Sequence, residues 1–232
     1  MNQVKRRGAT AGFSLVELLI AMTITLIMMG AATSLLSAGF RIRNRGNAVS
    51  DAAADGQRAL NIMSREIANA GFNLITNGVV AQDSDSTHLR VRSNLNKFDT
   101  TASIASRNGV IDASEDVQYF VNGGAATDYL VRYDVNTASK TVLANRLSAL
   151  RIYYFPQRVT YNTTTLANGT TDCNISGFSS AEVTPDLARY LVLAVCVSIP
   201  AFGPPNSEGY QPASNLLLVS DVTLRNADLL AY

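Results

Sequence analysis

The sequence predicts an α+β protein: one long amino-terminal helix, apolar in its first half and amphipathic in its second, packed on an antiparallel β-sheet head domain. Three observations lead there. An uncharged, apolar run extends from Leu18 to Phe40. Apolar or small residues then recur three and four apart from Val49 to Ala70, the spacing of a helix with one buried stripe. Beyond Asn73 the pattern changes to short runs rich in tyrosine and β-branched residues, separated by turn material such as Asn122-Gly123-Gly124, which reads as antiparallel strands. The 232 residues have room for one membrane segment and one globular domain of about 150–180 residues, so a two-domain enzyme is not expected.

Taken in order, the chain begins with a hydrophilic stretch, MNQVKRRGATAG, from Met1 to Gly12. The 23 uncharged positions from Leu18 to Phe40 exceed the roughly 20 that a helix needs to cross a bilayer. A secretory signal peptide places small residues after its apolar run; here Ala9 to Gly12 come before it. Cleavage after Gly12 would therefore leave the apolar helix on the mature chain. Arg6-Arg7 lacks the apolar flank of a twin-arginine signal. Charge does not orient the span, because Lys5, Arg6 and Arg7 on one side balance Arg41, Arg43 and Arg45 on the other. Those three arginines are expected to form a basic collar at the membrane surface. Glu17, near the start of the apolar run, is the anomaly. A carboxylate in hydrocarbon costs about 2.5–3.5 kcal/mol on insertion scales, so it calls for a partner and a role.

The second half of the helix carries Val49, Ala52, Ala53, Gly56, Leu60, Met63, Ile67 and Ala70 on one stripe. Asp55 and Arg58, three apart, are placed to pair on its outer face. No proline precedes Pro156, so nothing of that kind interrupts the helix. Gly71 is the expected stop, Gly30, Gly39, Gly46 and Gly56 the expected bending points. An unbroken helix from Phe13 to Ala70 would measure about 87 Å.

Six runs then read as strands: HLRVRSN, DVQYFVN, DYLVRYDV, KTVLANRLSALRIYYF, ARYLVLAVCVSIP and NLLLVSDVTLRN. The stretch from Arg158 to Pro185, rich in Thr, Asn, Ser and Gly, reads as a long surface loop. A second irregular stretch, PAFGPPNSEGYQP, precedes the last strand. The two cysteines, Cys173 and Cys196, fit neither a zinc site nor a CxxC redox motif. In an exported domain they would bridge and contribute about 3 kcal/mol; the alternative is a buried free thiol at Cys196, inside an apolar run.

The stretch G-FSLVELLIAM, Gly12 to Met22, resembles the class III leader of type IV pilins and type II secretion pseudopilins. That resemblance implies a pilin-like fold, cleavage between Gly12 and Phe13 by a prepilin peptidase at the cytoplasmic face, and N-methylation of Phe13. It orients the chain with the leader cytoplasmic and the remainder periplasmic, held in the bacterial inner membrane before entering a pilus. It also implies a role for Glu17, pairing with a Phe13 amine and setting the register of one subunit on the next. RALNIMSREIANAGF, Arg58 to Phe72, is similar to the helix end of minor pilins of the PilW type, and VTLRN, Val222 to Asn226, resembles the last strand of PilW-like and J-type pseudopilin sequences. The domains expected on this basis are a cleaved leader (1–12), a transmembrane and filament-core helix (13–40), its amphipathic continuation (41–72) and a periplasmic β-rich head (73–232). The resemblance implies as partners other minor pilins, the major pilin, the prepilin peptidase and the inner-membrane assembly platform. A J-type pseudopilin of type II secretion and a single-span periplasmic binding or sensor protein stay open as alternatives.

Other chemistry finds little support. With 19 basic and 18 acidic residues the net charge is +1, which gives no electrostatic case for nucleic acid. GFSSA, Gly177 to Ala181, is an imperfect relative of a hydrolase elbow without the strand and helix such an elbow needs, and the one histidine, His88, is far upstream. No enzyme, cofactor or metal is expected. DSDST (Asp83 to Thr87) and DASED (Asp112 to Asp116) lack the glycine and terminal glutamate of an EF-hand and read as solvated turn acids. Asn162, Asn168 and Asn174 open N-x-S/T sequons, read here as loop composition.

Overall fold

The computed structural model describes residues 12–96, 111–123, 128–165, 171–207 and 209–227. The leader before Gly12, Gly124 of the expected turn and the Asn168 sequon lie outside them.

Helix α1 runs from Leu15 to Ala68, 54 residues. Ser14 enters it in an extended conformation, and Glu17 in the first turn and Arg65 in the last oppose the partial charges of the two helix ends. Hydrogen bonding continues through Gly30, Gly39 and Gly46, and at Gly56 the missing side chain serves packing: a Cβ there would lie 2.4 Å from Leu218 Cδ1. Asp55 and Arg58 are exposed and, among the described residues, do not pair. The helix ends three residues before Gly71, because the backbone beyond it is recruited elsewhere. Gly71 N–H donates to the Arg92 carbonyl at 2.9 Å and Arg92 N–H to Gly78 at 2.7 Å, so the exit from the helix covers the outer edge of the first strand.

The strands are β1 (His88–Arg92), β2 (Asp116–Asn122), β3 (Asp128–Asp134), β4 (Ser139–Phe155), β5 (Asn162–Thr165), β6 (Thr171–Ser176), β7 (Tyr190–Ile199) and β8 (Ser214–Thr223). Six form one antiparallel sheet in the order β1-β2-β3-β4-β7-β8. The protein is therefore α+β, a long amino-terminal helix on an antiparallel sheet. The 17-residue β4 pairs with β3 from Ser139 to Leu147 and with β7 from Leu147 to Phe155, and its register shifts at Arg146, whose φ is +59°.

One face of the sheet packs on the buried stripe of α1, Ala52, Gly56, Ala59, Leu60, Met63 and Ile67. Leu191, Leu193, Val195 and Val197 of β7 lie on that side. The opposite face carries a second core, with Phe155, Tyr190, Val192 and Ala194 beneath Val159 and Ile175. Its cover is the β5–β6 hairpin, within the stretch read from sequence as a long loop. The hairpin explains why β7 is apolar at consecutive positions: it is buried on both faces. Cys196 points to the covered side and is bonded to Cys173 of β6, with Cα atoms 5.5 Å apart. Asn162 and Asn174 therefore sit in strands, and Phe178 of GFSSA packs on Tyr153 and Phe155 with ring centroids 4.8 Å away in each case.

Asp85 of the first acidic run is exposed in a bend, but the second run is not a solvated turn. Glu115 and Asp116 are buried. Asp116 receives Arg90 at 2.7 Å and Arg92 at 2.8 Å, while Glu115 accepts backbone N–H groups of Leu95, Asn96 and Asp112. Burial would push the Asp116 carboxyl up, but the two guanidinium groups outweigh it and hold the pKa below the usual value. Among the described residues no cluster of His, Cys, Asp and Glu could hold a metal ion.

Candidate functional site

The site begins where description of the chain begins. Gly12 is exposed with open space around its Cα, and Phe13 is 80% exposed. Glu17 stands four residues after Phe13 in the first turn of α1, about 6 Å along the axis. Among the described residues it has no hydrogen-bond or ion-pair partner. From Phe13 to Phe40 every residue is exposed except Ala38, which is half-buried. The most apolar window of this helix has a mean hydropathy of 2.2, with none of it buried. An all-round apolar helix with no protein cover fits a lipid environment or the inside of a helical assembly.

Its few hydroxyls suit either setting. Thr23 Oγ1 donates to the Ile20 carbonyl at 2.8 Å and Thr33 Oγ1 to Met29 at 2.7 Å, and Thr25 does the same to Ala21. Each of these three is satisfied within its own helix, so apolar surroundings do not leave it unpaired.

The second part of the site is the seat of α1 on the head, which sequence reading missed. Arg41 Nη1 donates to Ser207 Oγ at 2.7 Å, and Arg45 Nη2 donates to Ser214 Oγ at 2.8 Å while its Nη1 reaches the Pro212 carbonyl. Two members of the expected collar are thus committed to the head, and Arg43 is exposed. The i, i+4 spacing of Arg41 and Arg45 was the available signal, since it places both on one face. Higher up, Ser64 and Ser220 share a hydrogen bond of 2.9 Å. Near the helix end Glu66 accepts Arg132 Nε at 3.0 Å and the Tyr119 hydroxyl. Burial, then the Glu66 charge, push the Tyr119 hydroxyl pKa well up. The structure joins Cys173 to Cys196 on the far face of the sheet and brings neither to Gly12, Phe13 or Glu17.

Residues 7–33 match the family described as Prokaryotic N-terminal methylation motif. The amino terminus carries the motif of a class III leader. It supports a type IV pilin-like or pseudopilin protein, and leaders of this class imply processing by a prepilin peptidase and assembly with pilus machinery. Leader and apolar helix together suggest a membrane-anchored, pilin-like chain with a structural role. No curated protein and no solved structure matches the chain.

Proposed function

We propose that the protein is a minor pilin that primes type IV pilus assembly at the inner membrane and enters the pilus near its tip. One observation carries the reading: a methylation motif over residues 7–33 overlaps the start of a helix whose residues are all exposed as far as Ser37. The chain inserts as a single span and loses residues 1–12 at the Gly12–Phe13 bond, and the new Phe13 amine is methylated. The 13–40 helix then packs against those of other minor pilins and the major pilin. In that dry core an unpaired Glu17 would be costly, so it pairs with the Phe13 amine of its own or a neighbouring chain, which fixes the axial stagger. The resemblance of Arg58 to Phe72 to minor pilins of the PilW type favours a minor over a major pilin, and the J-type pseudopilin role in type II secretion is the alternative within the same superfamily. The test is amino-terminal sequencing of the membrane-purified protein, with N-methylated Phe13 expected. A chain still starting at Met1 would reduce the protein to a tethered periplasmic domain.

A further inference from the structure

The stretch between β7 and β8 carries the least obvious contact of the fold. Phe202 and Gln211 close it with paired backbone hydrogen bonds of 2.9 and 3.0 Å. From there it descends along α1 toward the apolar segment. Pro212 and Ser214 meet Arg45, and Ser207 meets Arg41. Gly209, at φ +74°, lies against Ala38, where an added Cβ would come within 2.9 Å of the Ala38 Cβ. Gly203, at φ +88°, takes the Arg41 side chain, its own Cβ position 3.1 Å from Arg41 Cδ. Both glycines allow a close approach in a backbone conformation that other residues rarely adopt.

Ala38 belongs to the uncharged run. If hydrocarbon takes about 20 residues counted from Leu18, it ends near Ser37. Ala38 to Arg41 then rise only about 6 Å above that boundary, at 1.5 Å per residue, inside a headgroup layer about 5–7 Å thick. A loop touching those residues lies in the same layer.

We infer that the loop from Phe202 to Gln211 rests on the bilayer as an interfacial foot of the head, in contact with lipid before any assembly. This rests on reading Leu18 to Phe40 as a membrane span. The loop has the chemistry for it. Phe202 and Tyr210 are half-buried, Pro204 and Pro205 are exposed, and aromatic side chains favour this depth. By sequence the loop has one charged residue, Glu208, against the three arginines Arg41, Arg43 and Arg45 of the helix, a balance that suits anionic lipid. The foot fixes how far the head stands from the membrane.

The native chain has no tryptophan, so a single introduced one reports its own position. The full chain carrying Pro205→Trp or, as a conservative second variant, Phe202→Trp is reconstituted in phosphatidylethanolamine–phosphatidylglycerol vesicles with brominated lipids. Leu26→Trp serves as the mid-span reference and Phe72→Trp, past the far end of α1, as the head reference. The expected result is loss of loop fluorescence to bromine near the headgroup end of the acyl chain, loss at Leu26→Trp to bromine near the chain end, and no loss at Phe72→Trp. Loop variants as unquenched as Phe72→Trp beside a quenched Leu26→Trp would overturn the foot and leave the span standing. An unquenched Leu26→Trp would remove the span and the foot with it.

Discussion

Arg132 of β3 donates its Nε to both carboxylate oxygens of Glu66, at 3.1 and 3.0 Å, across the junction between the last turns of α1 and the sheet. Glu66 also accepts the hydroxyl of Tyr119, a side chain with 0% exposure. Burial alone would lower the Arg132 pKa, but the hydrogen bonds and charge of Glu66 outweigh it and hold it above the usual value. Replacing Glu66 with Ala strands a phenol and a guanidinium together and is expected to destabilise the protein by about 2–4 kcal/mol. Glu66→Gln keeps an acceptor for Tyr119 and should lose less. Thermal unfolding of the full chain in detergent, followed by near-UV circular dichroism, orders the variants; equal transitions for all three proteins would show that the junction is not held here.

Acid should loosen the head through a small set of carboxylates. Burial would raise the pKa of Asp116 and Asp134, yet Arg90 and Arg92 in the first case and the N–H groups of Ser114, Thr137 and Asn136 in the second outweigh it and hold both below the usual value. Asp85 is lowered to about 2, its slight desolvation overcome by bonds from Thr87 and His88. A group whose pKa is depressed on folding stabilises above its unfolded value of about 3.9 and loses that contribution as pH falls through the folded one. Stability is therefore expected to fall between about pH 4 and pH 2. Asp116→Asn should be less stable at neutral pH and show a shallower acid loss, which urea titrations at stepped pH would measure.

Much of this architecture is written in residue spacing, and the exceptions have physical causes. The α1 stripe was legible because Leu60, Met63 and Ile67 keep the helical period, and the six sheet strands because turn residues separate their apolar runs. The β5–β6 hairpin was not, since Asn162 to Thr165 is wholly polar and the alternation in Thr171 to Ser176 rests on Cys173 and Ile175 alone. Its presence was nonetheless implied by β7, where Tyr190 to Val197 is too continuously apolar for a strand with one wet face. Glu115 and Asp116 look like turn acids because their partners, Arg90, Arg92 and the Leu95 and Asn96 amides, lie about 20 or more residues away in sequence and meet them only in the sheet. The methylation motif over residues 7–33 could be recognised because it is a local pattern. The clasp of Arg41 and Arg45 on Ser207 and Ser214 could not, because it depends on where β8 begins.

The bridge between Cys173 and Cys196 pins the hairpin over the second core, with Cys196 only 1% exposed. Changing both cysteines to Ala should destabilise the head by about 3 kcal/mol, the loop-closure value for a separation of 23 residues. The loss should be greatest around the hairpin, where Val159, Ile175 and Phe178 cover the sheet. Hydrogen exchange read by mass spectrometry would show faster exchange in residues 171–176 than in β1 and β2; a uniform change would mean that the hairpin is held by packing alone.

Glu17 gives the sharpest test of the assembly reading, because insertion and assembly ask opposite things of it. A carboxylate in an apolar helix opposes membrane entry, so Glu17→Ala should insert at least as well as the native chain. On the proposed reading the helix leaves lipid for a packed core, where the same carboxylate has to meet a cation, and the Phe13 amine one turn away is the group that cleavage would create. Removing the acid leaves that amine unpaired, and incorporation should fall while the amount in the membrane fraction holds or rises. Glu17→Gln should behave like the Ala variant, because an amide fills the space without neutralising the amine. Immunoblots of membrane and sheared-pilus fractions separate the two steps. Equal incorporation of all three forms would show that the acid does not set the register, whereas loss from the membrane fraction as well would assign Glu17 to insertion instead.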